Sequence, residues 1–91
     1  MSSSKPKYRV RFESGVEKQI RKLDPQNQRR ILLSIGLLAD NPIPPKAVQL
    51  VGEAELWRVR VGDFRIVYTV QKEELIVLVV RVGHRREVYK F

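Results

Sequence analysis

The 91-residue chain is predicted to form an α+β domain, a four-stranded antiparallel sheet packed on two N-terminal helices. Three observations carry that expectation. A short segment near the start alternates apolar and polar residues with period two. Two stretches then carry apolar stripes at helical spacing. Three β-rich runs follow, separated by turn residues. The order is β-α-α-β-β-β, and helices gathered before a strand meander pack on one face of its sheet. The other face is left open to bind something.

Residues 1–7 are polar and read as a flexible N-terminal segment; residues 8–91 form the single domain. Tyr8-Arg9-Val10-Arg11-Phe12 is the first strand, with Tyr8, Val10 and Phe12 inward. Ser14-Gly15-Val16-Glu17 fits a capping box, which satisfies free N–H groups at a helix start. Val16, Ile20 and Leu23 give that helix one apolar stripe. Asp24-Pro25 opens the second helix, with Asp as N-cap and Pro in the first turn. Ile31, Ile35 and Leu38 line its buried face, with Leu32 and Ala39 beside them. The helix stops before Asn41-Pro42, because a residue preceding proline resists the helical conformation. "NPIPPK" (41–46) is a stiff connector. The remaining strands are Leu56–Val61, Phe64–Val70 and Leu75–Val82. Gly62-Asp63 is a two-residue hairpin loop, and Lys72-Glu73 is the second turn. The last strand is expected between its predecessor and the first.

The chain carries 18 Lys and Arg against 10 Asp and Glu, a formal net charge of +8. On so small a chain this favours polyanionic partners, although solubility alone can account for such a surface. With no cysteine and one histidine, disulfide frameworks, thiolate nucleophiles and Cys- or His-cluster metal sites are excluded. No signal-peptide pattern is present, and "LIVLVV" (75–80) is far short of the ~20 apolar residues a membrane helix needs. A soluble cytoplasmic protein with no membrane partner is expected.

The hairpin "LWRVRVGDFRIVY" (56–68) holds the most informative pattern. A two-residue loop makes Val61 oppose Phe64 and Arg60 oppose Arg65. Alternation then puts Arg58, Arg60 and Arg65 on one face and Trp57, Val59, Val61, Phe64, Ile66 and Tyr68 on the other. The apolar set must cover the helices, so the arginines face away. Like charges directly opposite in a sheet destabilise it by roughly 0.2–1 kcal/mol. No acidic residue of the hairpin shares that face. Guanidinium matches phosphate bidentately, so the face reads as an anion site. A solvated, edge-protecting strand face is the plainer alternative. The tail "VRVGHRREVYKF" (80–91) brings His84, Arg85, Arg86 and Tyr89 out near Arg65. Trp57 and Tyr68 read as core or rim aromatics; Arg9, Arg11, Arg29 and Arg30 read as solvated or as contacts to nucleic-acid backbone.

"YRVRF" (8–12), "KL" (22–23), "WRVR" (57–60), "GDFRIVY" (62–68) and "VGHRREVY" (82–89) occur in that order across nearly the whole chain. The set resembles the RelE branch of the RelE/ParE toxin superfamily. The resemblance implies a type II toxin that enters the ribosomal A site and cuts mRNA there. The cut is a 2′-hydroxyl attack on the adjacent phosphate, with no metal and no cofactor. It also implies a cognate RelB-like antitoxin, with the ribosome and its rRNA as further partners. Carried over by position, Arg65 holds the scissile phosphate, Arg85 stabilises or protonates the leaving oxygen, and Tyr89 orients the target nucleotide. Arg86 is a substrate contact. Arg58 and Arg60 fall where well-known members carry lysines, one of them the base, and arginine is a poor base. They bind substrate and stabilise charge. His84 is the candidate acid or base, histidine being the one residue type whose unperturbed side chain changes charge near neutral pH. A ParE-like DNA gyrase inhibitor and a non-catalytic RNA- or ribosome-binding module are the competing readings on the same fold.

Overall fold

The computed structural model describes residues 7–50, 52 and 55–84. The segment expected to be flexible lies outside them except for exposed Lys7, which meets Asp40 at 3.9 Å. The elements in chain order are β1 (Arg9–Phe12), α1 (Val16–Arg21), α2 (Pro25–Asp40), β2 (Val48–Gln49), β3 (Trp57–Val61), β4 (Phe64–Gln71) and β5 (Ile76–His84). They build an α+β fold with both helices on one side of a five-stranded sheet, ordered β1-β5-β4-β3-β2.

Helix α2 begins and ends where its sequence requires. Asp24 is the extended N-cap and Pro25 opens the first turn; Asn41, with φ −144°, leaves the helix before Pro42. Asp24 accepts a hydrogen bond from Asn27 Nδ2 at 2.6 Å. Ile31, Ile35, Leu38 and Ala39 are buried, whereas Leu32 is exposed along with Leu33 and Leu37. Helix α1 buries Val16 and Ile20. Its start is not a capping box: the N-cap is Gly15 at φ 90°, with no side-chain cap bond. A left-handed N-cap suits glycine and leaves Ser14 outside the helix.

The sheet departs from expectation in orientation, count and one loop. β1 pairs β5 in parallel, so the sheet is mixed. The meander β3-β4-β5 brings β5 back alongside β1 in the same direction, and the chain between them supplies the long crossover that parallel neighbours need. β2 adds a fifth, two-residue strand antiparallel to β3. Its brevity suits an edge that must not recruit further strands. The second turn spans Lys72–Leu75 rather than Lys72-Glu73; Leu75 takes φ 58°, and its N–H reaches the Lys72 carbonyl at 3.4 Å. As expected, β5 lies between β4 and β1.

The core sits between sheet and helices. Val16, Ile20, Ile31, Ile35 and Leu38 meet Val59, Val61, Ile66, Tyr68, Val77, Val79 and Val82, and Tyr8, Val10, Phe12, Trp57 and Phe64 pack at its margin. Tyr68 is wholly buried, and its hydroxyl donates to the Pro42 carbonyl at 2.7 Å, tying β4 to the connector after α2. Burial pushes the Tyr68 phenol up to about 12.

Candidate functional site

Gly62 and Asp63 join β3 to β4, and Gly62 takes φ 59°. Glycine at the first loop position with positive φ is the II′ pattern, whose twist matches that of paired strands. A Cβ at Gly62 would also come within 3.0 Å of the Arg30 guanidinium. The loop fixes the register Val61↔Phe64, Arg60↔Arg65, Val59↔Ile66 and Arg58↔Val67. Val59, Val61 and Ile66 are buried in the helix-side core. Alternation therefore sets Arg58, Arg60 and Arg65 together on the opposite face.

Two rows of side chains cross this face. In one, Arg60 opposes Arg65, and Arg65 opposes Gly83. In the other, Val48 opposes Arg58, Arg58 opposes Val67, and Val67 opposes Arg81. Lys46 stands two residues before Val48, in the turn that leads into β2. A depression of about 340 Å³ opens here, lined by Lys46, Val48, Arg58, Arg60 and Arg65. Arg65 is only 5 % exposed, although it faces away from the helices. Its Nη1 donates weakly to the Phe64 carbonyl at 3.4 Å. Arg58 is half-buried and Arg60 exposed, so the cations grade from the floor of the depression to solvent. Such a site can hold a phosphodiester by charge and by guanidinium hydrogen bonds.

His84 is in register with Phe64, not with Arg65. Its ring meets Phe64 edge-on at 5.9 Å, and it borders a separate cavity of about 340 Å³ with Gln19, Lys22 and Leu23. His84 therefore stands on the helix side, with the sheet between it and Arg58, Arg60 and Arg65, although Arg81 also borders its cavity. A β-bulge between the Val67 and Tyr68 pairings is the cause: the extra residue in β5 sets Arg81 on the arginine side and sends His84 the other way. Arg85, Arg86 and Tyr89 lie outside the described residues. Sequence reasoning passed over two basic residues of this face. Lys46 follows "NPIPP", and the two-residue strand after it has no alternation to reveal it. Arg81 sits in an apolar run whose bulge is invisible to period-two reading. Among the described residues no group of three or more His, Asp or Glu is placed to hold a metal ion.

Residues 7–89 match the profile of the ParE toxin of type II toxin-antitoxin systems. The chain is 32% identical over 87 residues to the RelE1 protein of Methanocaldococcus jannaschii, covering 92% of this chain and 97% of that one. The RelE–RelB complex of Pyrococcus horikoshii contains a chain that superposes with a TM-score of 0.78 at 27% identity, covering 89% of this chain and 98% of that one. A chain of the RelBE2 toxin-antitoxin complex of Mycobacterium tuberculosis gives 0.76 at 27% identity, covering 87% and 99%. The mixed sheet on two helices, the arginine hairpin and these matches along nearly the whole chain establish it as a RelE-type toxin, a member of the RelE/ParE superfamily of type II toxin-antitoxin systems.

Proposed function

We propose that this toxin is an endoribonuclease that cuts mRNA in the ribosomal A site and so arrests translation. The observation that carries this reading is the basic depression walled by Arg58, Arg60 and Arg65 on the face away from the helices. A phosphodiester enters with one negative charge. Attack by the neighbouring 2′ oxygen gathers further charge on the phosphoryl oxygens in the transition state. Guanidinium groups held rigidly on a sheet stabilise that charge without reorganising, and do so without a metal ion. Arg65, the most buried of the three, holds the scissile phosphate; Arg58 and Arg60 add electrostatic stabilisation. The family resemblance gives Arg85 the leaving oxygen and Tyr89 the target nucleotide, and the basic tail adds Arg86 as a substrate contact. The ribosome aligns the 2′ oxygen with the scissile bond, and alignment alone lowers such a barrier by several kcal/mol. RNA is required because DNA has no 2′ hydroxyl. The toxin acts in the cytoplasm, where messages are translated.

The partner that silences it is a cognate RelB-like antitoxin. The P. horikoshii relative forms a complex with RelB, and the net charge of +8 favours an acidic chain. Leu33 and Leu37, 71% and 66% exposed one turn apart on α2, suit the apolar stripe of an amphipathic segment.

Purified toxin on programmed ribosomes provides the test. The expected result is A-site cleavage leaving 2′,3′-cyclic phosphate and 5′-hydroxyl ends, with the same message intact when free of ribosomes. Intact message together with inhibited gyrase supports the ParE-like reading instead, and neither effect supports a binding module.

A further inference from the structure

We propose that Lys46 accepts the 2′ proton in this site, an inference that rests on the ribonuclease reading above. The depression is rich in positive charge but needs a proton acceptor. Arg58, Arg60 and Arg65 are guanidinium groups, protonated under all ordinary conditions. His84 lies beyond the sheet, in register with Phe64. Among the described residues that line the depression, Val48 has no titratable group and Lys46 is the one whose side chain has an accessible neutral form. Lysine is the basic side chain that serves as a general base, because its amine can lose its proton where a guanidinium cannot.

The backbone holds Lys46 for this role. Pro44, Pro45, Lys46 and Ala47 form a turn closed by the Ala47 N–H to the Pro44 carbonyl at 2.9 Å. Proline at the second turn position fixes φ there. Ala47 then packs against the core, which anchors the far side of the turn. The turn leaves Lys46 lining the same depression as Arg60 and Arg65, which stand across from each other on β3 and β4. Adjacent strands are about 4.8 Å apart, so Arg60 and Arg65 are near neighbours, and Lys46 comes two residues before the edge strand that flanks Arg58. A phosphate held by Arg65 thus has its neighbouring ribose within reach of a flexible four-carbon arm. Among the described residues no hydrogen bond or ion pair occupies the Lys46 ammonium.

In the step itself, the 2′ oxygen bonds to phosphorus and its proton passes to Nζ of the neutral amine. The bond from phosphorus to the 5′ oxygen of the next nucleotide breaks, and that oxygen takes a proton from solvent. The products are a 2′,3′-cyclic phosphate and a 5′ hydroxyl, and Nζ returns its proton to water.

The experiment measures single-turnover cleavage on programmed ribosomes for the wild type, Lys46→Arg and Lys46→Ala, with co-sedimentation and thermal unfolding alongside. Lys46→Arg keeps the charge but loses the base. It is expected to lower the rate by about 100-fold or more while ribosome binding and unfolding temperature stay unchanged. Ethylamine in solution is expected to restore part of the rate to Lys46→Ala and none to Lys46→Arg, a response that a structural role would not give. A Lys46→Arg rate within threefold of wild type overturns the assignment. Slow cleavage that follows lost ribosome binding, or a slow Lys46→Ala that no amine restores, also overturns it. A wild-type chain that leaves message uncut on ribosomes overturns the ribonuclease reading, and the role of Lys46 with it.

Discussion

Burying Arg65 removes most of the hydration of a guanidinium that has no neutral form to retreat to. A fold tolerates such a residue on a strand face when its charge serves something beyond packing. Arg65→Ala is therefore expected to lower ribosomal cleavage by about 100- to 1,000-fold, the usual effect of losing one preorganised donor to transition-state charge. Arg65→Lys keeps the charge but not the two-pronged geometry, and is expected to recover only part of the rate; full recovery would mean that charge alone matters. Tyr68 poses a second residue-scale question. Its phenol is raised to about 12 by burial, against about 10 when unfolded. The folded state thus holds that proton more tightly. The resulting stability is fully present below pH 10 and is lost as pH rises from 10 towards 12, by up to roughly 2–3 kcal/mol. Urea midpoints measured from pH 8 to 12 check this. Tyr68→Phe should lose about 1–2 kcal/mol at neutral pH, because the Pro42 carbonyl loses its donor, and its alkaline decline should be shallower than wild type. That Tyr68 faces the helices follows from hairpin parity, and its buried environment from the apolar residues sharing its face. Its bond to Pro42 joins residues 26 apart in sequence, and no local pattern encodes that.

At the scale of elements, legibility depended on turns. Gly62-Asp63 admits one tight loop, and with it came the whole β3–β4 register, including Arg60 opposite Arg65. β5 was harder to read. Its buried residues are Val77, Val79 and Val82, spaced by two and then three. The run 75–80 is apolar throughout, so alternation cannot reveal the extra residue. That bulge decides which face receives Arg81 and which receives His84. The parallel setting of β1 was equally hidden, since strand direction follows from the path of the whole chain. β1 pairs β5 only as far as Phe12↔Val79, which leaves the rest of that edge of β5 without a strand. Gln19 of α1 takes over there, its Oε1 accepting the Val82 N–H at 2.9 Å. Gln19→Leu removes the acceptor and is expected to cost about 1–2 kcal/mol in urea unfolding, whereas Gln19→Glu keeps an acceptor and loses less. Because this contact lies on the helix side, ribosomal cleavage well below the unfolding temperature should change less than threefold in either variant. A Gln19→Leu chain as stable as wild type would mean that water satisfies Val82 and that α1 is not needed to finish the sheet.

For the molecule as a whole, basic charge is not confined to the depression. Lys18, Arg21 and Lys22 stand exposed on and beside α1, Arg29 and Arg30 on α2, and Arg9 and Arg11 on β1. Helices and sheet edge therefore present cations at several sides of the molecule, an arrangement that a single phosphate site does not require. A surface of rRNA can engage several of these sides at once, and such binding releases counterions from the RNA. The logarithm of ribosome affinity should then fall linearly with the logarithm of salt concentration, while the cleavage rate of toxin already bound changes little. Lys18→Gln and Arg21→Gln test the division of labour. Each removes an exposed charge on α1, far from the depression, and should lower the salt slope by about 1 if that residue meets an RNA phosphate. Arg65→Ala should reduce the bound-state rate far more than it reduces affinity. If the α1 variants keep the wild-type slope, the helix side does not meet RNA. Affinity then resides in the arginine face itself, and the excess charge serves solubility or the antitoxin.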